Sequence, residues 1–131
     1  MNMAQFKIYG HAEFLRAQHA RISELLHGAA QRTLQLPTDK RFHRFLPLEP
    51  WQFVTPADRT GSYLIIECVM FTGRTLEARK ALIRAVMDEL SAGLGISVND
   101  IEITLIESGR ENWGIRGQHG DEMKLTYKVE V

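Results

Sequence analysis

An arginine at the start of a predicted helix has the clearest capacity for chemistry in this chain. Arg74 follows an apolar run that ends at Phe71, and Gly73 beside it lets the backbone approach a ligand closely. A guanidinium at the exit of a strand, with the amides of a helix start nearby, suits a carboxylate or a developing enolate. The alternative is a surface arginine that pairs with Glu77.

Three other side chains each have two interpretations. Glu67 lies inside the apolar run and has two interpretations. It is either a structural carboxylate that faces solvent or pairs with an arginine, or a general acid or base of raised pKa. Trp113, in a segment rich in glycine, is either a pocket wall or a plug over the sheet. Cys68 is interpreted as a small buried hydrophobic residue rather than a nucleophile.

The spacing of the histidines argues against a metal site. His11, His19 and His27 recur every eight residues, which turns each by about 80° around a helix, so they do not share a face. The pairs of histidines or cysteines typical of zinc sites do not occur. No glycine-rich phosphate loop and no serine nucleophile elbow occur either. We therefore expect no metal and no cofactor.

The periodicity of apolar residues predicts the elements that position these side chains. A first strand ends at Gly10, the helix after it ends before Pro37, and Thr75 is a plausible N-cap for the second helix, which closes near Gly93 and Gly95. The connection after residue 47 is expected to pack through Trp51 and Phe53. The predicted strands cover residues 4–9, 41–48, 63–71, 101–105 and 125–131, and the first predicted helix covers 12–34.

The two halves of the sequence match at a separation of 61 residues. Leu15 falls on Leu76 and Ile22 on Ile83, which are positions on the apolar faces of the two helices. Beyond the helices, Asp39 falls on Asp100. The pattern predicts one domain over residues 1–131, with pseudo-repeats at about 4–48 and 63–107 and a C-terminal strand at 124–131.

The order of the predicted strands and helices predicts an α+β fold built from two tandem β-α-β units. Each long helix returns a strand parallel to its predecessor through a right-handed crossover. The result is a four-stranded mixed sheet with two helices on one face. The other face then needs a cover, and we expect another copy of the chain to supply it.

Composition excludes several classes of partner. The 131 residues carry 16 basic and 16 acidic side chains, so neither nucleic acid nor an anionic membrane surface is expected to bind. One cysteine suits a reducing compartment. The longest apolar run is too short to span a bilayer, and no secretory signal pattern begins the sequence. These features predict a soluble, cytoplasmic domain.

Two segments give the chain its resemblance to the tautomerase superfamily. Residues 71–80, FTGRTLEARK, look like that superfamily's Gly-Arg-Thr helix opening, and residues 107–115, ESGRENWGI, look like its segment with a glutamate followed by a tryptophan. The similarity is to the long members with fused β-α-β units, related to malonate semialdehyde decarboxylase and 4-oxalocrotonate tautomerase. It implies a tautomerase/MIF-like fold and a homotrimer with pockets near the subunit borders.

The resemblance also implies a set of site residues. The family's catalytic group is an amino-terminal proline, but this sequence has no proline before Pro37, and Ala4 aligns with the family's proline. The free amine of Ala4 would require processing from a start at Met3. Arg74 would orient a carboxylate, Trp113 and Ile115 would wall the pocket, and Arg116, Arg41 or Arg44 would complete it. Thr72 and Lys40 stand where the decarboxylase has an arginine and an aspartate, which argues against decarboxylation by the family route.

Two functions follow from this resemblance. The first is an isomerase-like enzyme that transfers a proton on a small keto or enol carboxylic acid without the usual proline base. The second is a trimeric relative that binds a small carboxylate without catalysis or has a structural role.

Overall fold

Two parallel strand pairs, each joined by a long helix, form the frame of the computed structural model, which describes residues 4–123. The main elements are β1 Ala4–His11, α1 Ala12–Leu34, β2 Phe42–Leu48, β3 Leu64–Phe71, α2 Leu76–Leu94 and β4 Ile101–Ser108. A short ribbon of β5 Gly114–Ile115 and β6 Gln118–His119 follows them. The predicted strand at 124–131 lies outside the described residues.

The main sheet has the strand order β2-β1-β3-β4, with β1 and β3 antiparallel at its centre. In both parallel pairs each residue lies opposite the one 37 positions further on, as Gln5 does with Phe42 and Leu64 with Ile101. The two β-α-β units therefore share one strand register. The predicted α+β class, the four-stranded mixed sheet and the two helices are confirmed.

The core lies between the helices and one face of the sheet. Burial alternates along β1 and β3, so that Phe6, Ile8, Ile66 and Cys68 are enclosed while their neighbours face the other side. The opposite face carries Phe42, half exposed in the single chain. Its cover by another copy stays a prediction.

Local chemistry explains where the helices begin and end. Thr75 caps α2, because its hydroxyl accepts a hydrogen bond from the Ala78 amide at 3.0 Å, as the sequence predicts. Gly95 ends α2 in the left-handed region at φ 66°. At the end of α1 a non-glycine residue, Gln35, takes that conformation instead, and the sequence gives no sign of it.

Candidate functional site

Four chain segments meet at one end of the main sheet, where its strands begin or end. Ala4, the first residue of β1, lies opposite Met70 near the end of β3, and Gln5 lies opposite Phe42 at the start of β2. The chain leaves β3 at Phe71 and enters α2 five residues later. We call this region, where β1, β2 and α2 begin and β3 ends, the head of the sheet.

Arg74 lies in the link between β3 and α2, and its side chain is buried, with 4% of the residue exposed. Its guanidinium donates a hydrogen bond to the carbonyl of Leu34, the last residue of α1. The alternative interpretation of Arg74 as a surface side chain is therefore wrong. Gly73 has φ 132°, a conformation that side chains disfavour, so glycine is required at this turn.

The bond to Leu34 places a full positive charge against the carboxyl end of a 23-residue helix. That end carries partial negative charge, so the contact stabilises both partners. Cys68 lies close enough for the same cation to act on its thiol, yet burial dominates and raises the pKa of Cys68 to about 12. Cys68 is thus a buried hydrophobic residue, as predicted.

Ala4 is 1% exposed and sits on the helix-facing side of β1. Its strand neighbour Met70 is enclosed as well. A group at this position is therefore held in apolar surroundings at the head of the sheet.

Trp113 packs beside the end of β3. Its ring meets the Phe71 ring edge-on at 5.0 Å between centroids, and its indole N–H donates to the Ser108 carbonyl at 3.3 Å. Arg110 lies over the ring of the same phenylalanine, 5.7 Å from its centroid. Its guanidinium also donates to the carbonyls of Gly120 and Met123. These bonds fold residues 110–123 back against the strand end.

Ile115 and Arg116 belong to the short ribbon after Trp113. Arg116 (φ 54°) and Gly117 (φ 77°) form its two-residue turn, and both have positive φ, which matches the twist of paired strands. Arg116 is exposed at the turn, whereas Ile115 is half-buried. The structure thus puts Ala4, Arg74 and Trp113 around the head of the sheet and places the other two predicted residues on the adjoining ribbon.

Glu67 faces the side of the sheet away from the helices. Its carboxylate accepts a hydrogen bond from the Tyr9 hydroxyl at 2.7 Å and lies 3.7 Å from the Lys7 ammonium. The bond to Glu67 raises the pKa of Tyr9, because the phenol must keep its proton to donate this hydrogen bond. The interpretation of Glu67 as a carboxylate on the solvent-facing side of the strand is therefore correct, although the cation beside it is a lysine rather than an arginine.

A second polar cluster, which the sequence did not reveal, lies beside the start of β2. Ser23 on α1 and the Nδ1 atom of His43 are 2.7 Å apart, and the Arg41 guanidinium donates to the same serine oxygen at 3.3 Å. Burial, then Arg41 and His27, lower the pKa of His43 to about 4. Twenty residues separate the serine from the histidine, so no short motif could have indicated the pair.

Within residues 4–123, no three side chains of the kinds that bind metals converge on one point. Neither long helix in that part of the chain combines the length and apolar character needed to cross a bilayer.

Comparison with known proteins adds a family and a set of similar folds. A family model described as tautomerase enzyme matches residues 40–116. Malonate semialdehyde decarboxylase has a TM-score of 0.77 at 19% identity, over 88% of this chain and 93% of that chain. N1, a member of the cis-3-chloroacrylic acid dehalogenase family, has a TM-score of 0.77 at 15% identity, over 88% and 82%. The R7 fused 4-OT asymmetric trimer has a TM-score of 0.79 at 15% identity, over 89% and 96%.

Proposed function

The chain belongs to the tautomerase family, and from that premise we propose that it binds a small keto or enol carboxylic acid at the head of the sheet and transfers a proton on it. The observation that carries this proposal is the position of Arg74. Its guanidinium is buried where α2 begins, four residues beyond the strand partner of Ala4. The guanidinium donates a hydrogen bond to the carbonyl of Leu34, which fixes its position.

The proposed role of Arg74 is to orient the carboxylate of the ligand. A guanidinium presents several N–H donors in one plane, and this geometry matches a carboxylate. Burial strengthens the attraction, because fewer water molecules screen the charge. The enolate that forms when a proton leaves the carbon beside a carbonyl would be stabilised by the same cation.

The proposed proton carrier is the amine of Ala4, exposed if the mature chain begins at that residue. Apolar surroundings lower the pKa of an amine, because they disfavour its charged form. A primary amine of lowered pKa can accept a proton near neutral pH. Trp113 and Ile115 are proposed as pocket walls, and Arg116 as a second cation for the ligand.

A homotrimer is part of the proposal. The R7 fused 4-OT structure is a trimer of similar fold, and the sheet face that carries Phe42 and Ile106 leaves both side chains 40% or more exposed in the single chain. Burial of such a face between copies is favourable, because it removes apolar surface from water. Light scattering tests this directly, and a monomeric mass would contradict it.

The function is tested by binding and by turnover, measured on the same variants. In a Trp51→Phe background, Trp113 is the single tryptophan, so its fluorescence reports a bound keto acid such as phenylpyruvate. Ketonisation of phenylenolpyruvate, followed by absorbance, reports proton transfer. We expect Arg74→Lys to weaken both by about tenfold or more. Arg79→Ala, which removes a half-buried arginine from the first part of the same helix, is the matched control and should leave both unchanged.

Intact mass of the purified native protein completes the test, because it identifies the first residue. A chain that begins at Ala4 and ketonises the enol supports the proposed amine. A chain that retains residues before Ala4 and still turns over at the same rate refutes that role for Ala4. Absence of keto acid binding to the wild-type protein refutes the proposal as a whole.

A second function, carboxylate binding without catalysis, is favoured by two observations. The sequence has no proline before Pro37, and Ala4 is enclosed rather than open to a ligand. The same experiment separates the two functions. Saturable fluorescence quenching with no ketonisation above buffer supports the binding protein, and ketonisation that Arg74→Lys reduces supports the enzyme.

A further inference from the structure

The cluster of Ser23, His43 and Arg41 has the geometry of an activated hydroxyl. In the tautomer that carries its proton on Nε2, His43 accepts the Ser23 hydroxyl proton at Nδ1 across 2.7 Å. Arg41 donates to the same oxygen at 3.3 Å, so the hydroxyl lies between a base and a cation. A nucleophile within hydrogen-bond reach of its base is the arrangement typical of covalent catalysis.

The imidazole is held in place by the elements around it. The Phe6 ring meets it edge-on at 5.4 Å, and the His27 ring lies 6.3 Å away. His27 itself is fixed, because its Nε2 atom lies 2.8 Å from the Thr38 carbonyl. The polar groups that face His43 are thus a serine, a histidine and an arginine. Burial first, and then Arg41 and His27, lower the pKa of His43 and keep it neutral at physiological pH. Its acceptor nitrogen is therefore available throughout that range.

The charge beside Ser23 indicates which compounds could react there. Arg41 is exposed, and its guanidinium donates to the serine oxygen. A compound with an anionic group would therefore be attracted to this position. Ser23 is half-buried rather than enclosed, so the compound must be small to reach its hydroxyl.

We propose that Ser23 is a nucleophile toward small anionic aryl esters, with His43 as its general base and Arg41 as the group that binds the anion. The Ser23 Oγ atom forms a bond to the carbonyl carbon of the ester, and the serine proton passes to Nδ1 of His43. The bond from that carbon to the aryl oxygen then breaks, and the proton moves to the departing oxygen. The products are an acylated Ser23 and a phenol.

This reaction is separate from the proton transfer proposed at Arg74, because it uses none of those residues. An imidazole of low basicity makes the attack slow, since general-base efficiency falls as the pKa departs from the working pH. We therefore expect single acylation with little turnover. The adduct, rather than product release, is the quantity to measure.

The test is covalent labelling of the full chain, read by peptide mass. The protein is incubated with 4-acetoxybenzoate, and the acetylated serine is located. We expect acetylation at Ser23, reduced about tenfold or more in His43→Gln and absent in Ser23→Ala. Ser62→Ala, a half-buried serine on the link between the repeats, is the matched control and should label like the wild type. Circular dichroism confirms that each variant keeps its fold.

Two comparisons separate a reactive site from a merely accessible serine. The neutral methyl ester of the same reagent should acylate Ser23 more slowly than the anionic form, and Arg41→Gln should remove that preference. The His43 pKa implies that the rate of acylation stays level between about pH 6 and about pH 8, whereas an ordinary histidine would lose part of its activity at the acid end. No adduct at Ser23, or an adduct that forms at an equal rate in His43→Gln, overturns the proposal.

Discussion

Replacement of Arg74 by methionine should destabilise the fold as well as remove a ligand contact. The hydrogen bond from its guanidinium to the Leu34 carbonyl is buried and charged, and such bonds contribute about 1.5–3 kcal/mol. The same cation lies at the carboxyl end of α1, where interaction with the helix dipole adds about 0.5–1 kcal/mol. We therefore expect a loss of about 2–4 kcal/mol in the free energy of unfolding, which corresponds to roughly 6–15 °C in Tm for a chain of this length.

The assay is urea unfolding, followed by circular dichroism at one fixed protein concentration, because association would otherwise shift the midpoint. Arg79→Met is the control. The Arg79 side chain is one-third exposed, and its guanidinium lies 3.9 Å from the Glu107 carboxylate, so its loss should cost about 0–1 kcal/mol. Arg74→Lys keeps a positive charge, so its loss in the free energy of unfolding should lie between those of Arg74→Met and Arg79→Met. If Arg74→Met unfolds at the same urea concentration as Arg79→Met, the assignment of Arg74 as an anchor for α1 is incorrect.

Three further predictions concern the core and its titration. The pKa of His43 is lowered from 6.5 to about 4 in the folded protein, so the unfolded chain is protonated at a higher pH than the native state. Up to about 3 kcal/mol in the free energy of unfolding, present above pH 6.5, should therefore be lost as the pH falls to about 4. His43→Gln should flatten this part of the plot of unfolding free energy against pH. Gly93→Ala should destabilise the protein by about 1 kcal/mol, because the new methyl group would lie 2.6 Å from the tip of Leu25. Gly28→Ala in α1, where the nearest atom is 3.4 Å away, should stabilise it by about 0.5–1 kcal/mol. Thermal unfolding checks the pair, because the two variants should shift Tm in opposite directions. Cys68, buried and with a pKa raised to about 12, should resist a disulfide reagent in the native protein and react in full in urea, whereas equal rates in both states would contradict its burial.

The fold could be predicted from the sequence because its signals are local and repeated. The apolar spacing of α1, the N-cap at Thr75 and the glycine at position 95 each have one conformation that satisfies them, and the structure adopts it. The parallel pairing followed from the length of the crossover helices. The packing of the connection between β2 and β3 was predicted only in part. Phe53 packs, since its ring stacks on Tyr63, but Trp51 is 79% exposed in the single chain.

The site was harder to predict, because its contacts join residues far apart in sequence. The bond between Arg74 and Leu34 spans 40 residues, and the pairing of β1 with β3 and the packing of α1 against α2 bring them together. The ribbon around Arg116 was missed, because its turn places a non-glycine residue at positive φ. The contact of Ser23 with His43 depends on how α1 lies across β2, which periodicity does not determine.

The shared strand register makes the positions of the two halves directly comparable, and the comparison bears on stoichiometry. The buried positions match at a separation of 60 rather than the expected 61, as Ile22 does with Leu82, and Leu76 is 53% exposed although the expected separation pairs it with buried Leu15. At a separation of 60 the position of Arg74 corresponds to Phe14 near the start of α1, so the first half has no cation at the equivalent place. On the proposed function, a chain with two matching β-α-β units would thus saturate at a single equivalent of an acidic ligand, and an assembly of three copies at three.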